Sequence, residues 1–390
     1  MSQGWGTHSD SVCQVEKIRS QNRDLHSTDE DLSVARTRGT QIVHYANVLD
    51  VPTSIPMLRI PFEEVQSRLA EVLRELGFSG ACAKLCARLF AETTCDGVYS
   101  HGVNRFARFS AMVRNGSVDP VAEPRVVARF GAIERWDGQA GPGNLNAYAA
   151  MAGAIALSRV HGIGCVAMAH TNHWMRGGTY GWQAAKAGVI GMCWTNTMPN
   201  VPPWGGAEPA IGNNPLVMAV PRAKGHVVLD MAMSQFSYGA LESYRKRGEL
   251  LPVDGGFDLE GKLTRDPAAI EKSQRLLPVG FWKGSGLAVV LDMVAAMTSL
   301  GNATWAIASD PLRETGLSQV FVAMNPGALG DEARMEMIAD EVVASLHHSR
   351  PADEGKTVRY PGENTLRLRE ENLRMGLPID EGVWAEISAM

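Results

Sequence analysis

The stretch Val279-Gly280-Phe281-Trp282-Lys283-Gly284-Ser285-Gly286-Leu287 opens a helical segment in a chain of alternating helices and strands. Such alternation invites a dinucleotide-binding fold, whose signature is G-x-G-x-x-G between a strand and a helix, with an acid about 20 residues on. Gly284-Ser285-Gly286 is the nearest approach to it, but it lacks the third glycine and follows a segment interrupted by Pro278. No Walker A sequence is present either. An α/β chain without the usual glycine-rich turn must hold a ligand by another route. Lys283 beside the free N–H groups of a helix start offers an anion site, although a helix cap explains Ser285 equally well.

Around this stretch the texture is α/β from Arg125 onward. Strands are expected at 125–130, 165–169, 189–195, 216–220, 227–231 and 318–323, with helices at 146–160, 179–187, 235–247 and 285–299, giving a mixed sheet. Both flanks are helical. Val65, Leu69, Val72, Leu73 and Leu76 form one face of a helix that starts at Pro61 and stops at Gly77. A second helix runs from Ser79, and helices return at 331–348, 363–375 and 380–388. The two helical flanks are expected to pack together as one discontinuous domain, 57–124 plus 325–390, around an inserted α/β domain, 125–324. Residues 1–56 are polar, hold 3 of the 40 glycines and lack periodicity apart from 41–49. They read as a disordered or spurious extension, with Met57 as the natural start.

Composition narrows the function classes. With 37 Lys+Arg against 42 Asp+Glu, the net charge of −5 gives no pull toward nucleic acid. The longest apolar stretch, Leu287 to Met297, is broken by Asp292, so no spanning helix and no membrane partner is expected. Six scattered cysteines without a C-x-x-C read as reduced thiols in a cytoplasmic protein. Cys82 and Cys86 sit one helical turn apart without a second ligand pair nearby, so no metal is assigned.

Three constellations carry chemistry. Ser100-His101-Gly102 lies at a helix entry with Arg105 one turn on. An imidazole that gives a proton to a carbonyl beside a guanidinium that grips a carboxylate is what a keto-acid reductase needs. The bland alternative is a capping His and a solvated Arg. His170-Thr171-Asn172-His173-Trp174-Met175-Arg176-Gly177-Gly178 closes a strand and enters a helix, where open α/β sheets place ligands. Hydrogen bonding suits its two histidines better than metal ligation. The loop 196–214 is rich in proline and glycine, carries Trp204 and is suited to closing a pocket. Finally, Asp230 ends the apolar run Val227-Val228-Leu229, where an unpaired acid is costly. It is expected to orient His101 or to meet a cofactor.

Taken together, SHGVNRF at 100–106, NHWMRGGTYGWQAA at 172–185, CWTN at 193–196, PPWGG at 202–206, FSYG at 236–239, LPVDGGFD at 251–258 and GFWKGSG at 280–286 make the chain from Met57 onward resemble the malate/L-lactate/sulfolactate dehydrogenase-like family. The resemblance implies a non-Rossmann NAD-binding fold of the L-sulfolactate dehydrogenase-like type and a homodimer. It implies His101 as proton donor, with Ser100 and Arg105 beside it. It further implies cofactor contacts from His226, Val227, Val228, Leu229, Asp230, Met231 and Ala232, from Trp282 and Lys283, and from Gly362, Glu363 and Asn364, with NADH favoured over NADPH. The motif wording favours the sugar-acid branch, hence reduction of 2,3-diketo-L-gulonate to 3-keto-L-gulonate. Malate, lactate or ureidoglycolate dehydrogenation, or reduction of a cyclic-imine 2-carboxylate, is the alternative within the family. A catalytically silent binding protein would be expected to lack His101 or the Trp282-Lys283 pair, and both are present.

Overall fold

The computed structural model describes residues 57–353 and 355–390, so the expectation for residues 1–56 lies outside it. The described chain begins with β1 (Met57–Ile60), α1 (Phe62–Glu75), α2 (Gly80–Cys95) and α3 (Phe106–Arg114). It continues through β2 (Arg125–Phe130), β3 (Ile133–Asp137), α4 (Gly143–His161), β4 (Ile163–Asn172), α5 (Gly178–Lys186), β5 (Ile190–Thr195), β6 (Leu216–Val220) and β7 (Val227–Met231). After α6 (Tyr238–Arg247), β8 (Gly256–Phe257), β9 (Leu263–Thr264) and α7 (Pro267–Ser273) comes α8 (Trp282–Ser299). The chain closes with β10 (Thr315–Met324), α9 (Glu332–His348), α10 (Glu363–Met375), β11 (Leu377–Asp380) and α11 (Glu381–Ser388).

The central sheet has seven strands in the order β2-β3-β4-β10-β5-β6-β7. Only β3 and β4 run parallel; every other neighbouring pair is antiparallel. The period-2 alternation of strand side chains sorts the two faces. Val166, Met168, Cys193, Val217 and Phe321 pack with α4 and α5 residues such as Ala147, Met151 and Trp182. Their neighbours Ala167, Trp194 and Val320 pack on the opposite face with Ala288, Leu291 and Ala295 of α8. This is the α/β fold with a mixed sheet expected from the sequence.

A separate core holds the helical part. Val65, Leu69, Val72 and Leu73 of α1 and Ala83, Ala87 and Phe90 of α2 pack with Phe106 and Phe109 of α3. Leu377, Ile379 and Ile387 from the other end of the chain complete this cluster. The antiparallel pairing of β1 with β11, Met57 opposite Asp380, ties the two helical flanks together. Leu85 of α2 is only half-buried. No described helix is long and apolar enough to cross a membrane.

Candidate active site

Helix α2 ends at Cys95, and Gly97, at φ +83°, reverses the chain. Two short 3-10 turns, Tyr99–His101 and Val103–Arg105, then lead into α3. Gly102 between them lies so close to α2 that an added Cβ would stand 2.8 Å from the Thr94 backbone nitrogen. The Val103 N–H donates to Thr94 Oγ1 at 2.8 Å. These contacts fix where His101 projects. Ser100 Oγ lies 2.9 Å from His101 Nδ1, and the start of α6 presses on Ser100, leaving room for only a glycine at Gly239.

The second strand-end loop arrives from β4. His173 stacks on His101 with ring centroids 5.8 Å apart and planes 18° from parallel. Its Nδ1 accepts the Met175 N–H at 3.1 Å, which in a neutral ring leaves the proton on Nε2. Burial, followed by the positive charges of Arg105, Arg176 and Arg108, pushes His101 down to about 3. Burial, Arg105, His101 and Arg108 depress His173 likewise. Both imidazoles are neutral at pH 7. Burial and Arg108 lower Arg105 to about 10, with Glu314 pulling the other way, so Arg105 stays charged. The Arg105 backbone N–H donates to Gly102 O at 2.9 Å, but its guanidinium makes no hydrogen bond or ion pair among the described residues. A half-buried guanidinium without a counter-ion beside two neutral imidazoles is a receptor for an anion.

A second cluster, which shares Arg176 with this one, is compensated. Asp96, 1% exposed, is held by Arg369 Nε at 2.5 Å and Nη2 at 2.7 Å and by Arg176 Nη1. Arg176 Nε lies 4.0 Å from Asp230 Oδ2, which accepts the Gly178 N–H at 2.8 Å. This corrects the expectation that Asp230 orients His101: its partners sit on the 176–178 loop, and the hydrogen-bond partner of His101 is Ser100. Asp230 is pushed up by desolvation, with Arg176 and the Gly178 N–H opposing.

The cofactor candidates fall into two groups. Strand β7 lies at the sheet edge, and the Val228 N–H donates to Pro361 O at 2.9 Å, so His226 to Ala232 and Gly362 to Asn364 are brought together. Gly362, at φ +93°, would place a Cβ 3.1 Å from the Val228 nitrogen. Helix α10 carries no side-chain cap. Glu363 accepts the Tyr360 N–H and pairs with His347 at 3.0 Å. A cavity of about 470 Å³ opens there, lined by His347, Arg359, Glu363, Asn364 and Arg367 among others. The imidazole of His226 accepts the Arg222 N–H and tilts against Trp182.

Trp282 and Lys283 stand apart from that group, at the exposed start of α8. They connect to the end of β7 through Val279, whose N–H donates to Met233 O at 2.8 Å. Ser285, for which a helix cap was one expectation, accepts the Trp204 N–H at 2.9 Å and ties the 196–214 loop to α8. The ring of Trp204 meets Phe281 edge-on. Sequence reading placed His101, Ser100 and Arg105 in one site; it missed the stacking of His173, the roles of Arg108 and Glu314, and the Asp96 cluster. The pairing of a helix-entry His with a strand-end His in one chain was the available signal for His173.

A sequence profile described as malate/L-lactate dehydrogenase matches residues 60–388. The 2,3-diketo-L-gulonate reductase of Citrobacter koseri is 46% identical over 333 residues, 85% of this chain and all of that protein. The reductase of the same name from Escherichia coli O127:H6 is 47% identical over 337 residues, again 85% of this chain and all of that one. Among solved structures, malate dehydrogenase from Pyrococcus horikoshii superposes with TM-score 0.79 at 26% identity, covering 87% of this chain and 96% of the other. Sulfolactate dehydrogenase from Methanocaldococcus jannaschii gives 0.79 at 27%, covering 85% and 96%. Fold, match length and identity agree: this chain, an oxidoreductase, belongs to the malate/L-lactate dehydrogenase family.

Proposed function

We propose that the chain reduces 2,3-diketo-L-gulonate to 3-keto-L-gulonate with NADH as reductant. The observation that carries the reading is the uncompensated Arg105 beside the stacked His101 and His173. Arg105 would receive the carboxylate in a bidentate fork, which holds the adjacent C2 carbonyl within reach of His101. NADH, when bound, supplies the hydride. His101 is neutral in the free site, so the proton it gives must be taken up when substrate binds. A carboxylate on Arg105 cancels the foremost of the positive charges that hold His101 neutral, which favours that uptake. Ser100 steadies the ring through Nδ1. His173, neutral likewise and with its ring proton on Nε2, would hydrogen-bond the carbonyl oxygen rather than give the proton.

The cofactor residues fit a dinucleotide. The close approach of Gly362 to β7 and the uncapped start of α10 offer free N–H groups to a phosphate. At α8 the N–H groups of Lys283, Gly284 and Ser285 already donate to Gly280, Val279 and Phe281, so there the Lys283 ammonium is what remains for an anion, not the helix start. His226 to Ala232 and Gly362 to Asn364 would hold one part, Trp282 and Lys283 another. The shared core of both chain ends supports a helical domain, 57–124 plus 325–390, enclosing 125–324. A homodimer is supported by the outward stripe Val290, Met293 and Met297 on α8, with Leu300 just past its end and the 83% exposed Trp305. The unpaired cysteines among the described residues suit the cytoplasm. Malate, lactate and cyclic-imine carboxylates would use the same anchor.

The test is NADH oxidation against a panel of 2-oxo acids, including 2,3-diketogulonate, pyruvate and piperideine carboxylate, for the natural chain and His101→Ala. Turnover of the diketo acid that is abolished in the variant, with NADH binding retained, is expected. Unchanged reduction by His101→Ala would remove His101 from the reaction.

A further inference from the structure

Arg105 and Arg108 stand one turn apart at the entry to α3, and both bear on His101 and His173. Their own surroundings differ. Arg108 donates from Nε and Nη2 to Pro311 O, and its Nη2 lies 3.7 Å from Glu314 Oε2. Glu314 is 4% exposed, and its Oε1 accepts the Met198 N–H at 3.3 Å. One buried carboxylate thus binds the second arginine to the segment before β10 and to the 196–214 loop. Arg176, the other cation near His101, is committed to Asp96.

With both imidazoles neutral, the group Arg105, Arg108 and Glu314 carries one uncompensated positive charge. A ligand with a single carboxylate on Arg105 balances it. A second carboxylate on the same ligand would find Arg108 already paired and would meet Glu314, leaving an unbalanced anion in a partly desolvated site.

We propose that Glu314, by holding Arg108 in an ion pair, restricts the site to 2-oxo acids with one carboxylate and disfavours those with two. The inference rests on the reading of Arg105 as the carboxylate anchor.

The test compares oxaloacetate with 2-oxosuccinamate, its terminal monoamide, which has nearly the same shape and one carboxylate fewer. The ratio of kcat/KM values with NADH is measured, or of inhibition constants against a faster substrate. In the natural chain the monoamide is expected to be favoured by about 30-fold or more. Glu314→Gln keeps an oxygen for the Met198 N–H but frees Arg108, and should shrink that preference at least about tenfold. Arg108→Gln leaves Glu314 unpaired and should widen it, so the two variants move the ratio in opposite directions. Equal use of both acids by the natural chain overturns the proposal, as does a ratio that neither variant moves. Failure of the natural chain to reduce or bind any 2-oxo acid would remove the underlying reading of the site, and the proposal with it. Should Glu314→Gln not fold, the natural ratio and Arg108→Gln decide the matter.

Discussion

Two charge clusters, one around Asp96 and one around His101, follow opposite rules. Around Asp96 the charges are closed: two arginines on one carboxylate, and Arg176 also facing Asp230. Around His101 they are open: Arg105 has no counter-ion, and two imidazoles are held neutral among cations. Burying ionised groups costs several kcal/mol unless they are paired, so folding closes charge wherever nothing else decides. The open cluster is held by its neighbour, because Arg176 follows His173 by three residues and pins that loop to Asp96. Compensation therefore belongs to stability, and its lack to binding.

Breaking the open cluster should cost activity and little stability. His101→Ala is expected to lower kcat by roughly 10²–10⁴, the usual worth of a positioned acid–base group, in single-turnover kinetics. Arg105→Lys should raise KM for the acid more than it alters NADH affinity, because a point charge cannot replace the guanidinium fork. Breaking the closed cluster should do the reverse. Asp96→Ala leaves the buried Arg176 and the half-buried Arg369 without the carboxylate they share and is expected to cost about 3–5 kcal/mol in urea unfolding. A loss below about 1 kcal/mol would show that the cluster is not the strut described.

Smaller effects sharpen the contrast. Gly102→Ala forces a Cβ against the Thr94 backbone, with an expected cost of about 1–3 kcal/mol and a displaced His101. The pH dependence follows from the depressed histidines. Unfolded His101 takes up a proton near its ordinary 6.5, whereas the folded form does so only near 3. Unfolding therefore binds protons in that window, and stability present above pH 6.5 is lost as pH falls toward 3. His101→Gln should flatten this slope, measured as the urea midpoint against pH; an unchanged slope would mean that His101 is not held neutral by the fold.

Much of this was legible where the signal is local. Pro61 and Gly77 bracket α1, and the apolar runs 216–220 and 227–231 match β6 and β7 to the residue. Strand β3 was not legible, since Glu134, Arg135 and Asp137 mask its alternation; Glu134 is buried only because Trp136 Nε1 and Arg129 bind it. The pairing of β1 with β11 joins four-residue strands more than 300 residues apart, too short for any periodicity. At the site, the SHG turn showed itself through residue type and spacing. The Asp96–Arg369 pair and the His101–His173 stack did not, because each depends on where two distant segments land.

The most direct test of Arg105 as an anion receptor is the affinity of oxamate, a non-reducible 2-oxo acid mimic, for the NADH complex of the natural chain and of Arg105→Met. A loss of about 100-fold or more, with NADH affinity and thermal midpoint little changed, is the predicted result. Equal oxamate affinity in the two proteins would contradict it.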